Sequence, residues 1–144
     1  MNTQHCIEVC NKLLRGERSA VEAYTKAIMT FEKEYAVPNS LLAIRDDHKV
    51  AVSMLTENVR SMGGAPSTDT GAWGAFTSFV QGTADLLGGK SAVASLRAGE
   101  TAGKMDYEAA MEDEEVMSSC KEMIRNELLP TTERHIGALE TLTA

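Results

Sequence analysis

Apolar residues recur every three or four positions along almost all of this chain, and breaker residues cut the pattern into segments of helical length. Each such stripe makes one face of a helix that has to be buried, so the chain is constrained to pack helix against helix. The first stripe runs through Cys6, Cys10, Leu13, Leu14, Val21, Tyr24, Ile28 and Phe31, and Val37-Pro38-Asn39-Ser40 ends it, which predicts a helix over about 4–35. The second holds Leu41, Ile44, His48, Ala51, Val52, Leu55, Val59 and Met62, and it stops at Gly63-Gly64-Ala65-Pro66, which predicts a helix over about 40–62. Two more helices are expected over about 91–112 and 115–142. The last carries Cys120, Ile124, Leu128, Thr131, His135, Leu139 and Leu142, and Pro130 should kink it.

Between the second and third helices lies a long crossover, in which Trp73, Phe76, Val80, Ala84 and Leu87 predict a short amphipathic helix. That helix either covers one end of the bundle or makes a contact in a homodimer or higher homo-oligomer. The expected fold is therefore all-α: two helical hairpins joined by a crossover, forming one four-helix bundle domain over residues 1–144. Only 5% of residues are aromatic and eight are methionine, which also favours helix, and no alternating strand pattern is present.

Two carboxylates interrupt the stripes. Gly16-Glu17 and Gly99-Glu100 are each followed, seven residues after the glutamate, by a tyrosine, Tyr24 and Tyr107. Seven residues is two turns, so each glutamate shares a helix face with its tyrosine and points toward the core. A buried carboxylate has to be paired, protonated or bound to metal. Histidine recurs as well, His48 in the second helix and His135 in the fourth, so each half of the chain offers one Gly-Glu helix and one His helix. The candidate metal ligands are Glu17, His48, Glu100 and His135, with Tyr24, Tyr107 and Arg45 as supporting groups. The alternative is a metal-free network in which each glutamate bonds the opposing tyrosine or histidine, or pairs with Arg45.

A formal charge of −7 with scattered basic residues argues against nucleic acid as a partner. No apolar run has the length of a membrane span, and the polar start Met1-Asn2-Thr3-Gln4-His5 does not have the layout of a signal peptide, so a cytoplasmic location is expected. Three cysteines in no paired Cys-x-x-Cys spacing are expected to be reduced thiols. Cys6 and Cys10 are one turn apart, and the start of the fourth helix should bring Cys120 beside them as a thiol cluster. The acidic run Glu112-Asp113-Glu114-Glu115 suits the positive end of a helix dipole.

In this organisation the chain resembles the ferritin-like superfamily, and Gly16-Glu17 and Gly99-Glu100 are similar to the Gly-Glu helix motifs of rubrerythrin-type di-iron proteins. It is more similar still to a bacterial ferritin-like domain family of unknown function. The shared features are the Gly63-Gly64 stop, the aromatic crossover Gly71-Ala72-Trp73-Gly74-Ala75-Phe76 and the Glu100…Tyr107-Glu108-Ala109-Ala110 helix. The resemblance implies iron or another divalent metal as cofactor, and ferroxidase or peroxidase-like chemistry if iron is loaded. It departs from the di-iron pattern where Arg45 and Thr132 stand three residues before the histidines, in place of a second pair of carboxylates. Asp47 and Glu133 project about 100° and 200° away from those histidines and are poor substitutes. A rigid-rod count also sets Glu17 and His48 ~13 Å apart in height, with Tyr24 level with His48. The sequence thus leaves three readings: a metal-binding bundle with an altered site, a non-catalytic structural or stress-associated interaction bundle, and a thiol-based sensor on Cys6, Cys10 and Cys120.

Overall fold

The computed structural model describes residues 3–34, 36–70 and 89–143, and they form an all-α bundle. Helix α1 spans Thr3–Glu34, α2 Asn39–Ser61 and α3 Gly89–Glu112. The fourth rod is composite: α4 (Ser118–Met123), a π-helical turn (Ile124–Leu128) and α5 (Leu129–Thr143). No strand is present among the described residues. The amphipathic helix expected around Trp73, Phe76, Val80, Ala84 and Leu87 lies outside them.

Helix α1 packs against α2 and α3, and α3 packs against α5, whereas α2 and α5 barely touch. Pro38 stands in extended conformation just before α2, where its fixed φ suits a helix start. At the other end of α2, Gly63 takes φ 81° and its N–H bonds the Arg60 carbonyl at 2.9 Å, while Gly64 N–H bonds the Val59 carbonyl at 3.0 Å. That left-handed residue closes the helix and favours glycine. Gly64 then passes close to α1: a Cβ there would come within 2.7 Å of the Ile7 side chain. Asn11 and Arg18 of α1 hold the outgoing chain, bonding Ala65, Ser67 and Ser67 respectively through Asn11 Nδ2, Asn11 Oδ1 and Arg18 Nε.

The acidic run makes the turn between α3 and α4 instead of the first turn of a helix, so the fourth rod starts three residues later than expected, at Ser118. Asp113 explains the difference. Its side chain accepts the Glu115 N–H at 2.9 Å, a local bond that competes with helix, and its other oxygen pairs with His5 at 2.6 Å. Pro130 is expected to kink this helix; what the structure shows is a π-helical turn immediately before it. The proline offers no N–H to the carbonyl four residues back, and its ring crowds that carbonyl, so the preceding turn widens. The buried residues Cys120, Ile124, Leu128 and Thr132 are spaced by four, which in a regular helix would drift ~120° over three steps; the wide turn absorbs the drift and keeps them on one face.

The core is split in two. One apolar cluster gathers Ala23, Tyr24, Ile28, Leu41, Ile44, Leu96 and Leu139, and the other Cys10, Leu14, Leu55, Val59, Tyr107, Cys120 and Ile124. Along every rod the polar residue lies between the two: Glu17 on α1, His48 on α2, Glu100 on α3, and Thr132 with His135 on α5. Leu55, wholly buried in the second cluster, anchors that end of the bundle. Leu55→Ala is expected to lower the unfolding free energy by about 3 kcal/mol in denaturant titration. Met105→Ala, at a side chain 64% exposed, should change it by less than about 0.5 kcal/mol.

Candidate metal centre

The four expected ligands all sit in the polar layer, and all are buried: Glu100 is 1% exposed, His48 and His135 3%, and Glu17 6%. His48 lies at the centre. Its Nδ1 is 2.5 Å from Glu17 Oε2 and its Nε2 is 2.8 Å from Glu100 Oε2. His135 stacks obliquely beside it, ring centroids 4.8 Å apart. His135 Nδ1 is 3.3 Å from Glu100 Oε1, and its Nε2 is 2.9 Å from Asp47 Oδ2. One donor atom from each of His48, Glu100 and His135 falls within 4.8 Å of the others, so these three side chains could hold one metal ion.

The tyrosines cross over. Tyr24 donates to Glu100 Oε2 at 2.6 Å and Tyr107 to Glu17 Oε1 at 2.5 Å, so each phenol serves the glutamate of the other half and not its own. Burial and the adjoining carboxylates push both phenols well above their ordinary pKa, which keeps the donating protons in place. Arg45 does not join through its Nε, which is buried with no hydrogen-bond partner among the described residues.

Two expectations change. The height gap expected between Glu17 and His48 is absent: the Tyr24 ring lies near the His48 ring, at 5.3 Å, and Glu17 reaches the same imidazole. Two side chains of this length cannot span ~13 Å of height as well as the distance between helices, so the rod count, which takes the rods as straight and the turn as centred on Val37, overstates the offset. Asp47, set aside because it points away from its neighbour His48, instead crosses to the histidine of the fourth rod. Glu133 does point away, and pairs with Lys104 at 3.7 Å.

The site opens on one side. A cleft of about 140 Å³ runs along the sparse seam between α2 and the fourth rod, with His48, Glu17 and His135 in its walls and Asp47, Met54, Glu127 and Thr131 around them. The π-helical turn supplies Glu127 and Leu128 to one wall. On the opposite side Gly16, Gly103 and Tyr107 border a void of about 20 Å³ beside Glu17 and Glu100, room for a single water.

Burial disfavours charge on His48, but the carboxylates of Glu17 and Glu100 outweigh it and push the imidazole up to about 10. Burial likewise opposes ionisation of Glu100, and His48 and His135 outweigh it and hold the carboxyl at about 2. In the metal-free protein His48 is thus an imidazolium donating from both nitrogens. Because its folded pKa lies above the ordinary 6.5, its stabilisation is complete below that value and is lost as pH rises through about 10. Glu100 contributes above its ordinary 4.5 and the contribution is lost as pH falls toward 2. Metal-free protein should therefore melt highest between these limits, with both limbs present in a series of thermal scans. Glu100→Gln should flatten the acid limb.

No curated protein and no solved structure matches the chain. One family does, over residues 5–113, a stretch that runs from α1 to the end of α3 and includes Glu17, His48 and Glu100. The chain therefore belongs to the family described as "Domain of unknown function (DUF2383)".

Proposed function

We propose that this chain is a ferritin-like bundle protein that binds one first-row divalent metal ion, iron by preference, through His48, Glu100 and His135. The observation that carries this reading is the arrangement of the two imidazoles. Each turns one nitrogen toward Glu100 and has its other nitrogen held by a further carboxylate, Glu17 for His48 and Asp47 for His135. Metal-ligating histidines are oriented in this way by carboxylates behind them. Two imidazoles and one carboxylate with open positions form the donor set that suits ferrous iron outside haem. The residues present thus fit a single ion better than the paired ions of the di-iron relatives, since Arg45 and Thr132 replace the carboxylates a second ion would need.

A bound redox ion would supply ferrous oxidation or peroxide reduction. The chain's own residues prepare for it. Glu17 and Asp47 fix the imidazole planes, Tyr24 and Tyr107 donate to the glutamates and orient them, and the cleft along α2 admits a small molecule to His48 and His135. His48 has to give up a proton before its nitrogen can bind an ion, so loading competes with protonation.

A second reading is a structural bundle in which the polar layer fixes helix register. It is favoured by the completeness of the hydrogen bonding: every one of the six side chains Glu17, Tyr24, His48, Glu100, Tyr107 and His135 has a partner within the layer.

Anaerobic loading with ferrous ion followed by desalting and elemental analysis separates the two. The metal reading expects about one ion per chain, release of protons into weakly buffered solution on loading, and tighter binding as pH rises. Glu100→Ala and His135→Ala should retain no ion, and Tyr24→Phe should weaken affinity by about 10- to 100-fold. Retention of no ion by the unaltered protein at any pH, with a melting temperature indifferent to chelator, would leave the structural reading.

A further inference from the structure

Two of the three thiols meet in the second core cluster. Cys10 Sγ of α1 and Cys120 Sγ of α4 lie 3.1 Å apart, inside ordinary sulfur contact, and both residues are buried. They lie near the starts of two separate rods, brought together across 110 residues of sequence. Asn58 of α2 donates from Nδ2 to Cys10 Sγ at 3.1 Å. Cys6 is excluded from the pair: its thiol donates to the Glu115 carbonyl at 3.0 Å and accepts the Met117 N–H at 3.3 Å, so it is spent on closing the turn between α3 and α4.

We propose that Cys10 and Cys120 are a two-electron redox pair that a peroxide oxidises to a reversible disulfide, clamping α1 to α4. The inference does not rest on the metal reading. Ordinary core packing places apolar neighbours around a single cysteine; here two sulfurs are aimed at one another, and an amide donor is turned onto one of them. The shared hydrogen bond differentiates them. The contact with Cys10 lowers the Cys120 thiol, while the same contact and burial raise that of Cys10.

The chemistry balances. The Cys120 thiolate attacks one oxygen of hydrogen peroxide; an S–O bond forms, the O–O bond breaks, and hydroxide leaves and takes up the proton that Cys120 had released. Cys10 then attacks the sulfenic sulfur; the S–S bond forms, the S–O bond breaks, and the oxygen leaves as water with the Cys10 proton. Two thiols and one peroxide give one disulfide and two waters. Burial in the apolar cluster selects a small oxidant over a bulky disulfide such as oxidised glutathione. The short α4, which begins just after the Asp113–Met117 turn, is the element whose local opening would admit it.

The test uses metal-free protein, exposed to hydrogen peroxide, then denatured and alkylated. Untreated protein should take up three alkyl groups, one for each cysteine, and oxidised protein one, on Cys6. Peptide mapping should join the Cys10 and Cys120 peptides. Reductant should restore three alkylations, and the oxidised form should melt at a higher temperature because the bond closes a long loop. Cys6→Ser should still lose two thiols. Persistence of all three thiols, a disulfide that includes Cys6 or links two chains, or over-oxidation of Cys120 without bond formation would overturn the proposal, and each reads directly on the unaltered protein.

Discussion

A carboxylate stripped of water governs this molecule. Glu100 is among the most deeply buried side chains of the bundle, and a charge in that position is tolerable only if its lone pairs are filled. Tyr24, His48 and His135 fill them, one from each of the other three rods. The positions of those rods are thereby tied to a single functional group, whose demands are directional in a way that leucine packing is not. Removing one partner would leave a buried charge short of a bond, which costs more than the bond itself contributes.

The polar layer also explains why the core is two clusters and not one. Apolar residues on either side of it form two separate clusters carried by the same rods, and the layer between them supplies the directional bonds that set rotation and height. Where its demands are incompatible with a regular helix, the backbone gives way. Pro130 and the π-helical turn before it let the fourth rod present Ile124, Leu128, Thr132 and His135 on one line, and the same widened turn forms a wall of the cleft that leads to the site.

Much of this was legible in the residues. Helix period and the breakers at Pro38 and Gly63-Gly64 gave the first two rods almost to the residue, and a glutamate at a core position of an apolar stripe can be read as a site without coordinates. Pairing was less legible. Glu17 and Tyr24 share a face, and nothing local says that Tyr24 will bond Glu100 instead, because that depends on how two hairpins dock. Asp47 was unreadable for the same reason, since its partner His135 is brought to it by another rod. The π-helical turn left only part of a signal: Cys120, Ile124 and Leu128 are spaced by four ahead of Pro130, but the stripe continues equally well through Thr131, whereas the structure buries Thr132.

The crossing of the tyrosine bonds carries a consequence for how the chain reaches its native state. Tyr24–Glu100, His48–Glu100, Tyr107–Glu17 and Asp47–His135 all join the first hairpin to the second. Each hairpin alone keeps one imidazole for its glutamate, Glu17–His48 or Glu100–His135, but lacks the tyrosine and, for Glu100, the second histidine that the other hairpin supplies. Secondary structure can form early in each half, but the cost of burying the two glutamates is recovered only when the halves meet, and assembly of the bundle becomes a single cooperative event.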